Sequence, residues 1–75
     1  FRIMNERFFG EVKWFSNERG YGFLIKDGTE NEEYFVHFTS IDMEGFKTLK
    51  AGQKVSFTLE EEEKGLQAKQ VQLEE

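Results

Sequence analysis

Apolar and polar residues alternate in five short stretches: FFGEVKWF (8–15), GYGFLI (20–25), EYFVHF (33–38), QKVSFTLE (53–60) and LQAKQVQL (66–73). A period of two sends successive side chains to opposite faces of an extended backbone, so each stretch is predicted to be a β-strand with one buried face. Turn-forming sequences separate them: SNERG, KDGTENEE, a longer connection from Thr39 to Gly52, and EEEEKG. Thr39–Ser40–Ile41 is expected to make one short helical turn, and no segment sustains helical periodicity. The run Glu60–Glu63 consists of helix formers, but its like charges repel and nothing apolar anchors it. Five short strands and one long connection predict an all-β domain, a five-stranded antiparallel Greek-key barrel of the OB-fold type, in which closure removes most exposed edges. An SH3-like barrel is the rival on strand count alone.

Such a barrel needs roughly ten inward side chains. Val12, Leu24, Val36, Val55, Leu59, Val71 and Leu73 supply strand positions, Phe57 shares the parity of Val55 and Leu59, and Ile41 and Leu49 can plug the ends. Alternation then dictates what faces out. With Leu24 inward, Tyr21 and Phe23 share the outer face and Gly22 lies inside; with Val36 inward, Phe35 and His37 point outward. Val12 inward puts Lys13 outward, and the adjacent pair Trp14–Phe15 fits the alternation only if the first strand bulges. Ala68 and Val71 likewise both face inward only if the last strand bulges. The outer row of Tyr21, Phe23, Phe35 and His37, joined by Trp14, Phe38 and Phe46, is a large apolar patch for a small protein, and such patches mark binding surfaces.

Composition narrows what that surface binds. The chain has 75 residues, enough for one small domain with a modest core. It has no cysteine, so neither a disulfide nor a thiolate metal site supports the fold, and a cytoplasmic location is expected. One histidine and scattered carboxylates make no metal site; no cofactor is expected, and no apolar run is long enough to span a membrane. Met4 is the expected natural start, with Phe1–Ile3 added ahead of it and residues 1–7 an N-terminal extension to a domain covering 8–75. The net charge of −5 argues against a polyanionic partner, but it is unevenly spread. Asp27, Glu30, Glu32 and Glu33 sit in one loop, and six carboxylates lie beyond residue 59 with only Lys64 and Lys69 to offset them. Near the aromatic row the balance is basic, with Lys13 and Arg19 flanking the rings and Lys47 and Lys50 in the long connection.

Exposed rings at strand spacing are stacking platforms for unpaired bases, whereas a duplex hides its base faces. The predicted partner is therefore single-stranded RNA or DNA, bound with a shallow salt dependence because few cations are near. His37 is placed to stack on or hydrogen-bond a base; as a general base it lacks an orienting partner, and Ser16, Ser40 and Ser56 show no triad arrangement, so the protein is not expected to be an enzyme. The RGYG segment lacks the pattern of a phosphate-binding loop. Asn17 and Glu18 shape the turn into the second strand, with Asn17 in reach of a base. The competing reading is a protein-interaction module using the same aromatic face.

KWFSNERGYGFL resembles the first ribonucleoprotein motif of the bacterial cold-shock proteins and eukaryotic cold-shock domains, and YFVHF resembles their second. The likeness continues through HFTSI, EGFKTL, AGQKVSF and KGLQA, covering Phe8 to Val71. It implies an OB barrel that binds single-stranded RNA and DNA, preferring pyrimidine-rich stretches, and acts without ATP as an RNA chaperone or transcription antiterminator. By motif match it implies a nucleic-acid surface of Lys13, Trp14, Phe15, Tyr21, Phe23, Phe35, His37, Phe38 and Phe46, with Asn17, Arg19 and Gln67 as secondary contacts. Four features depart from the family pattern. Leu66 stands where proline is usual, Tyr21 replaces the commoner phenylalanine, the loop from Lys26 to Glu33 is about two residues longer, and Tyr34 occupies a normally aliphatic core position. A monomer is expected, with strand exchange between chains as the alternative.

Overall fold

The predicted alternations become five strands: β1 (Ile3–Ser16), β2 (Tyr21–Lys26), β3 (Glu33–His37), β4 (Lys54–Glu62) and β5 (Gly65–Leu73), with a single 3-10 turn at Phe38–Ser40 after β3. The structure, a computed structural model, describes the backbone of residues 3–74 and the side chains of 6–74; Phe1, Arg2 and Glu75, and with them most of the expectation about Phe1–Ile3, lie outside the described residues. The strands close in the order β1-β2-β3-β5-β4, with β4 returning to β1, as an OB-fold barrel. All neighbours are antiparallel except β3 and β5, which pair in parallel at Phe35–Gln67. The fully antiparallel expectation is corrected by counting: direction cannot alternate around a ring of five, so one neighbouring pair must run the same way.

Two strands exceed their predicted bounds by two residues or more at one end. β1 begins at Ile3, and its early residues pair with the far end of β4, Ile3 with Glu60 and Met4 with Leu59. β4 continues through Glu62 because Glu60 and Glu62 straddle Lys69 of β5, at 4.0 and 3.6 Å, which offsets their repulsion.

The core is Val12, Leu24, Val36, Ile41, Leu49, Val55, Phe57, Leu59, Ala68 and Val71, each at most 3% exposed. Leu73 is the exception to the predicted set. It pairs with Val55 but is the last residue of its strand, at the rim, and remains 37% exposed. Ala68 takes an inward place instead, beside Val71, because β5 bulges: Ser56 pairs with Gln72 and Thr58 with Lys69, leaving Gln70 and Val71 opposite Phe57. Gln70 absorbs the extra residue in the left-handed region, at φ 50°.

A clasp secures this bulge. Arg7 on β1 donates from Nη2 to the Gln70 carbonyl and, at 3.1 Å, to the carbonyl of Ser56; it also donates to Ser56 Oγ, which in turn donates to Glu74 at 2.7 Å. Ser56 is thereby buried without an unsatisfied hydroxyl, and three strands are tied at one point. At one end of the barrel Phe57 meets Phe8 and Tyr34, with ring centroids 6.3 and 6.2 Å apart. The Tyr34 hydroxyl reaches out to donate to Glu32, so its polar end is satisfied while its ring packs against the core; desolvation, then that bond, pushes its pKa up.

At Gly22 β1 and β2 approach closely. A Cβ there would lie 2.2 Å from the Trp14 carbonyl oxygen and 2.7 Å from Phe15 Cα, both backbone atoms that cannot rotate away. Gly22→Ala is therefore expected to destabilise the barrel by about 1–3 kcal/mol, read as a lower urea midpoint at unchanged slope. Arg7→Met, which strips the bulge carbonyl and Ser56 of their donor, is expected to cost about 1–3 kcal/mol in the same measurement.

Candidate nucleic-acid interface

The outer aromatic face depends on a bulge in β1. Val12 pairs with Leu24 and Trp14 with Phe23, so Lys13 is the extra residue and the alternation resets after it. Before the bulge even-numbered residues such as Gly10 and Val12 face in; after it Trp14 faces out and Phe15 turns inward over Gly22. This satisfies the adjacent pair Trp14–Phe15, and it parts them. Trp14 joins the sheet face, while Phe15 packs half-buried against the core.

On that face four rings form a closed circuit. Trp14 lies 5.9 Å from Tyr21 and 5.5 Å from Phe23; Phe35 lies 5.5 Å from Tyr21 and 5.9 Å from Phe23. Phe23 pairs directly with Trp14 across β1 and with Phe35 across β3, and Tyr21 reaches both diagonally. The tilted and edge-on orientations are those that aromatic quadrupoles favour. Each ring supports two others, which fixes the set while leaving Trp14 38% exposed.

His37 carries the band sideways. It pairs with Tyr21, its ring centroid is 4.7 Å from that of Phe38, and its Nδ1 accepts the Thr39 N–H at 3.3 Å, capping the 3-10 turn. An accepting Nδ1 leaves the proton of the neutral ring on Nε2, which is then a donor. Phe38, 43% exposed, lies against Gly20, where a Cβ would come within 3.0 Å of its ring. Gly20 itself has φ 82°, so the β1–β2 turn needs a glycine for conformation as well as for space.

Beside Phe38 opens a cleft of about 490 Å³ whose walls are Phe15, Asn17, Arg19 and Gly20 on one side and Gly45, Phe46 and Lys47 on the other, with Glu18 at the turn. Phe46 is 74% exposed and makes no ring-to-ring contact among the described residues. Thr48 donates its hydroxyl to Asn17 Oδ1 and so links the two walls. Lys50 does not line the cleft; its backbone N–H is bonded to Gln53.

The cations differ in availability. Lys13 Nζ lies 2.7 Å from Glu33 and is engaged in an ion pair. Arg19 donates to the Tyr21 hydroxyl at 3.4 Å, which pushes the guanidinium's pKa further up, and among the described residues neither Arg19 nor Lys47 has a carboxylate in salt-bridge range. Gln67 stands at the far margin, between Phe35 and Glu60. A hydrogen bond with Glu62 raises the Glu60 pKa and lowers that of Glu62.

The predicted residues therefore fall into two adjoining groups. Trp14, Tyr21, Phe23, Phe35 and His37 occupy the sheet face; Phe15, Asn17, Arg19, Phe38 and Phe46 surround the cleft; Lys13 and Gln67 lie at the margins. Residue pattern alone misses Glu33, which occupies Lys13, and Thr48, which holds Asn17. Both act through partners distant in the chain, a relation that periodicity does not encode.

Residues 8–74 match the family described as the 'Cold-shock' DNA-binding domain. The chain is 56% identical over 66 residues to a cold shock-like protein of Aquifex aeolicus, covering 88% of this chain and 93% of that one. It is 53% identical over 64 residues to a cold shock-like protein of Thermotoga maritima, covering 85% and 94%, and 52% identical over 68 residues to the cold shock-like protein CspA of Vibrio cholerae, covering 91% and 96%. The solved structure of drosophila Unr CSD456 superposes with a TM-score of 0.76 over 93% of this chain and 27% of its own; at 24% identity it speaks for the fold. A domain match over nearly the whole length, with relatives more than half identical across most of both chains, places this protein in the cold-shock domain family of nucleic-acid-binding proteins.

Proposed function

We propose that the protein binds single-stranded RNA or DNA by stacking successive bases on the four-ring face and in the adjoining cleft, and that it keeps RNA unpaired without ATP, as an RNA chaperone or antiterminator. The observation that carries this reading is the closed circuit of Trp14, Tyr21, Phe23 and Phe35, held at ring separations of 5.5–5.9 Å on three adjacent strands. A surface of half-buried rings that already support one another needs little rearrangement to receive a base, so little ordering cost is added on binding. His37 Nε2 and the Arg19 guanidinium supply donors at its edge, and resemblance to the family favours pyrimidine-rich stretches. Because the surface fits only the open strand, binding shifts a hairpin equilibrium by mass action and no hydrolysis is needed.

Titration with oligo-dT is expected to quench Trp14 fluorescence. Phe23→Ala and Phe35→Ala should each weaken binding by about 5- to 150-fold, the equivalent of roughly 1–3 kcal/mol per stacked base. Absence of quenching by pyrimidine or mixed oligonucleotides, with association growing with protein concentration instead, would identify the face as a protein-binding surface. Two phosphate contacts, from Arg19 and Lys47, give a salt slope of about −1.4 and a loss of about sevenfold between roughly 50 and 200 mM salt. A much steeper slope would show that Lys13 and other paired lysines are recruited as well.

A further inference from the structure

The cleft beside Phe38 has walls of different origin, and only one of them belongs to the sheet. The turn joining β1 and β2 continues directly from paired strands and is closed by the Gly20 N–H donating to the Ser16 carbonyl at 2.7 Å. The facing wall, with Phe46 and Lys47, belongs to the long connection. That connection is secured at its ends. Ile41 bridges to Val71, and the Asp42 N–H donates to the Val71 carbonyl at 2.7 Å; at the other end Leu49 is buried and the Gly52 N–H donates to the Val12 carbonyl at 2.8 Å. Between these anchors the backbone turns through Gly45 at φ 78°, and Phe46 stands exposed with no ring-to-ring contact among the described residues. The hydrogen bond from Thr48 to Asn17 spans the two walls, two residues from Phe46 and 31 residues apart in the chain.

We propose that Thr48 is a positioning residue for strand binding: its hydroxyl, donated to Asn17, holds the Phe46–Lys47 wall at a fixed separation from the Phe15–Phe38 wall, so that the cleft takes a base running off the four-ring face. Asn17 is then the fixed half of the latch, and its Oδ1 is committed to Thr48 rather than to a base. The inference rests on the single-strand reading of the face. Its physical basis is preorganisation, since a wall already held in place adds less ordering cost to binding than one that must be fixed by the ligand.

The test titrates Trp14 fluorescence with oligo-dT of about four and about seven nucleotides, the shorter confined to the sheet face and the longer able to reach the cleft. The proteins compared are wild type, Thr48→Val, Thr48→Ser, Phe46→Ala and the double variant Thr48→Val/Phe46→Ala. Valine keeps the shape of threonine without the donor, and circular dichroism melts establish that each variant is folded. Thr48→Val is expected to weaken the longer oligonucleotide by about three- to tenfold, the range of one hydrogen bond, and to leave the shorter unchanged. Thr48→Ser should restore affinity, and in the Phe46→Ala background Thr48→Val should cost nothing further. Undiminished binding of the longer oligonucleotide by Thr48→Val, an equal loss for both lengths, or a loss that persists without Phe46 would each overturn the latch. Wild-type protein quenched by neither oligonucleotide would instead overturn the reading of the whole face, and the latch with it.

Discussion

The interior of this barrel holds a single aromatic ring among the described residues. The chain carries nine phenylalanines, two tyrosines and a tryptophan, yet among the described residues Phe57 alone of these is fully buried, in a core otherwise made of aliphatic side chains. Every other described ring sits at a rim, in a cleft or on the outer face, and most of the molecule's distinctive geometry follows from how they are distributed. Phe8 and Tyr34 pack at one end against Phe57. The bulge at Lys13 sends Trp14 out and Phe15 in, so two neighbouring rings are not forced onto one surface. Of those that remain outside, Trp14, Tyr21, Phe23 and Phe35 lower their own exposure by packing tilted or edge to face.

Much of this was legible because one rule, the period of two, governs both core and surface. The division of RGYGFLI into inner Gly22 and Leu24 and outer Tyr21 and Phe23 follows from parity, and the same rule flagged Trp14–Phe15 and Ala68–Val71 as places where a strand has to bulge. Parity says nothing about where a strand stops. Leu73 has the right neighbours but no strand beyond it to cover it, and the start of β1 is set by pairing with residues more than fifty positions away, in a stretch with no alternation of its own. The contacts of Lys13 with Glu33 and of Thr48 with Asn17 are equally remote, 20 and 31 residues apart. They depend on closure of the barrel and have no local signature.

The negative net charge has a similar spatial logic. Lys54 is shared by Glu11 and Asp27, Lys26 lies near Glu32, Lys69 is held between Glu60 and Glu62, and Lys13 is held by Glu33. Each exposed pair contributes little to stability, about 0–1 kcal/mol. Their larger effect is on the field: these four lysines are offset by neighbouring carboxylates, while among the described residues Arg19 and Lys47, which line the cleft together with Glu18, have no carboxylate in salt-bridge range. An acidic protein can therefore present a positive locality, and net charge alone would misjudge its choice of partner.

The odd number of strands has a consequence for motion. A ring of five must contain one parallel junction, and here it falls between β3 and β5, joined at Phe35–Gln67 with the Ile41–Val71 bridge beyond the 3-10 turn. The ring circuit, by contrast, stands on β1, β2 and β3, which are joined to one another by antiparallel ladders broken only by the bulge at Lys13. If the barrel breathes, its thinnest seam is the one to part, and parting it separates Gln67 from Phe35 without disturbing any contact among the four rings. Such an opening would lie at the side of the barrel, and the four-ring face stands on the half it would leave intact.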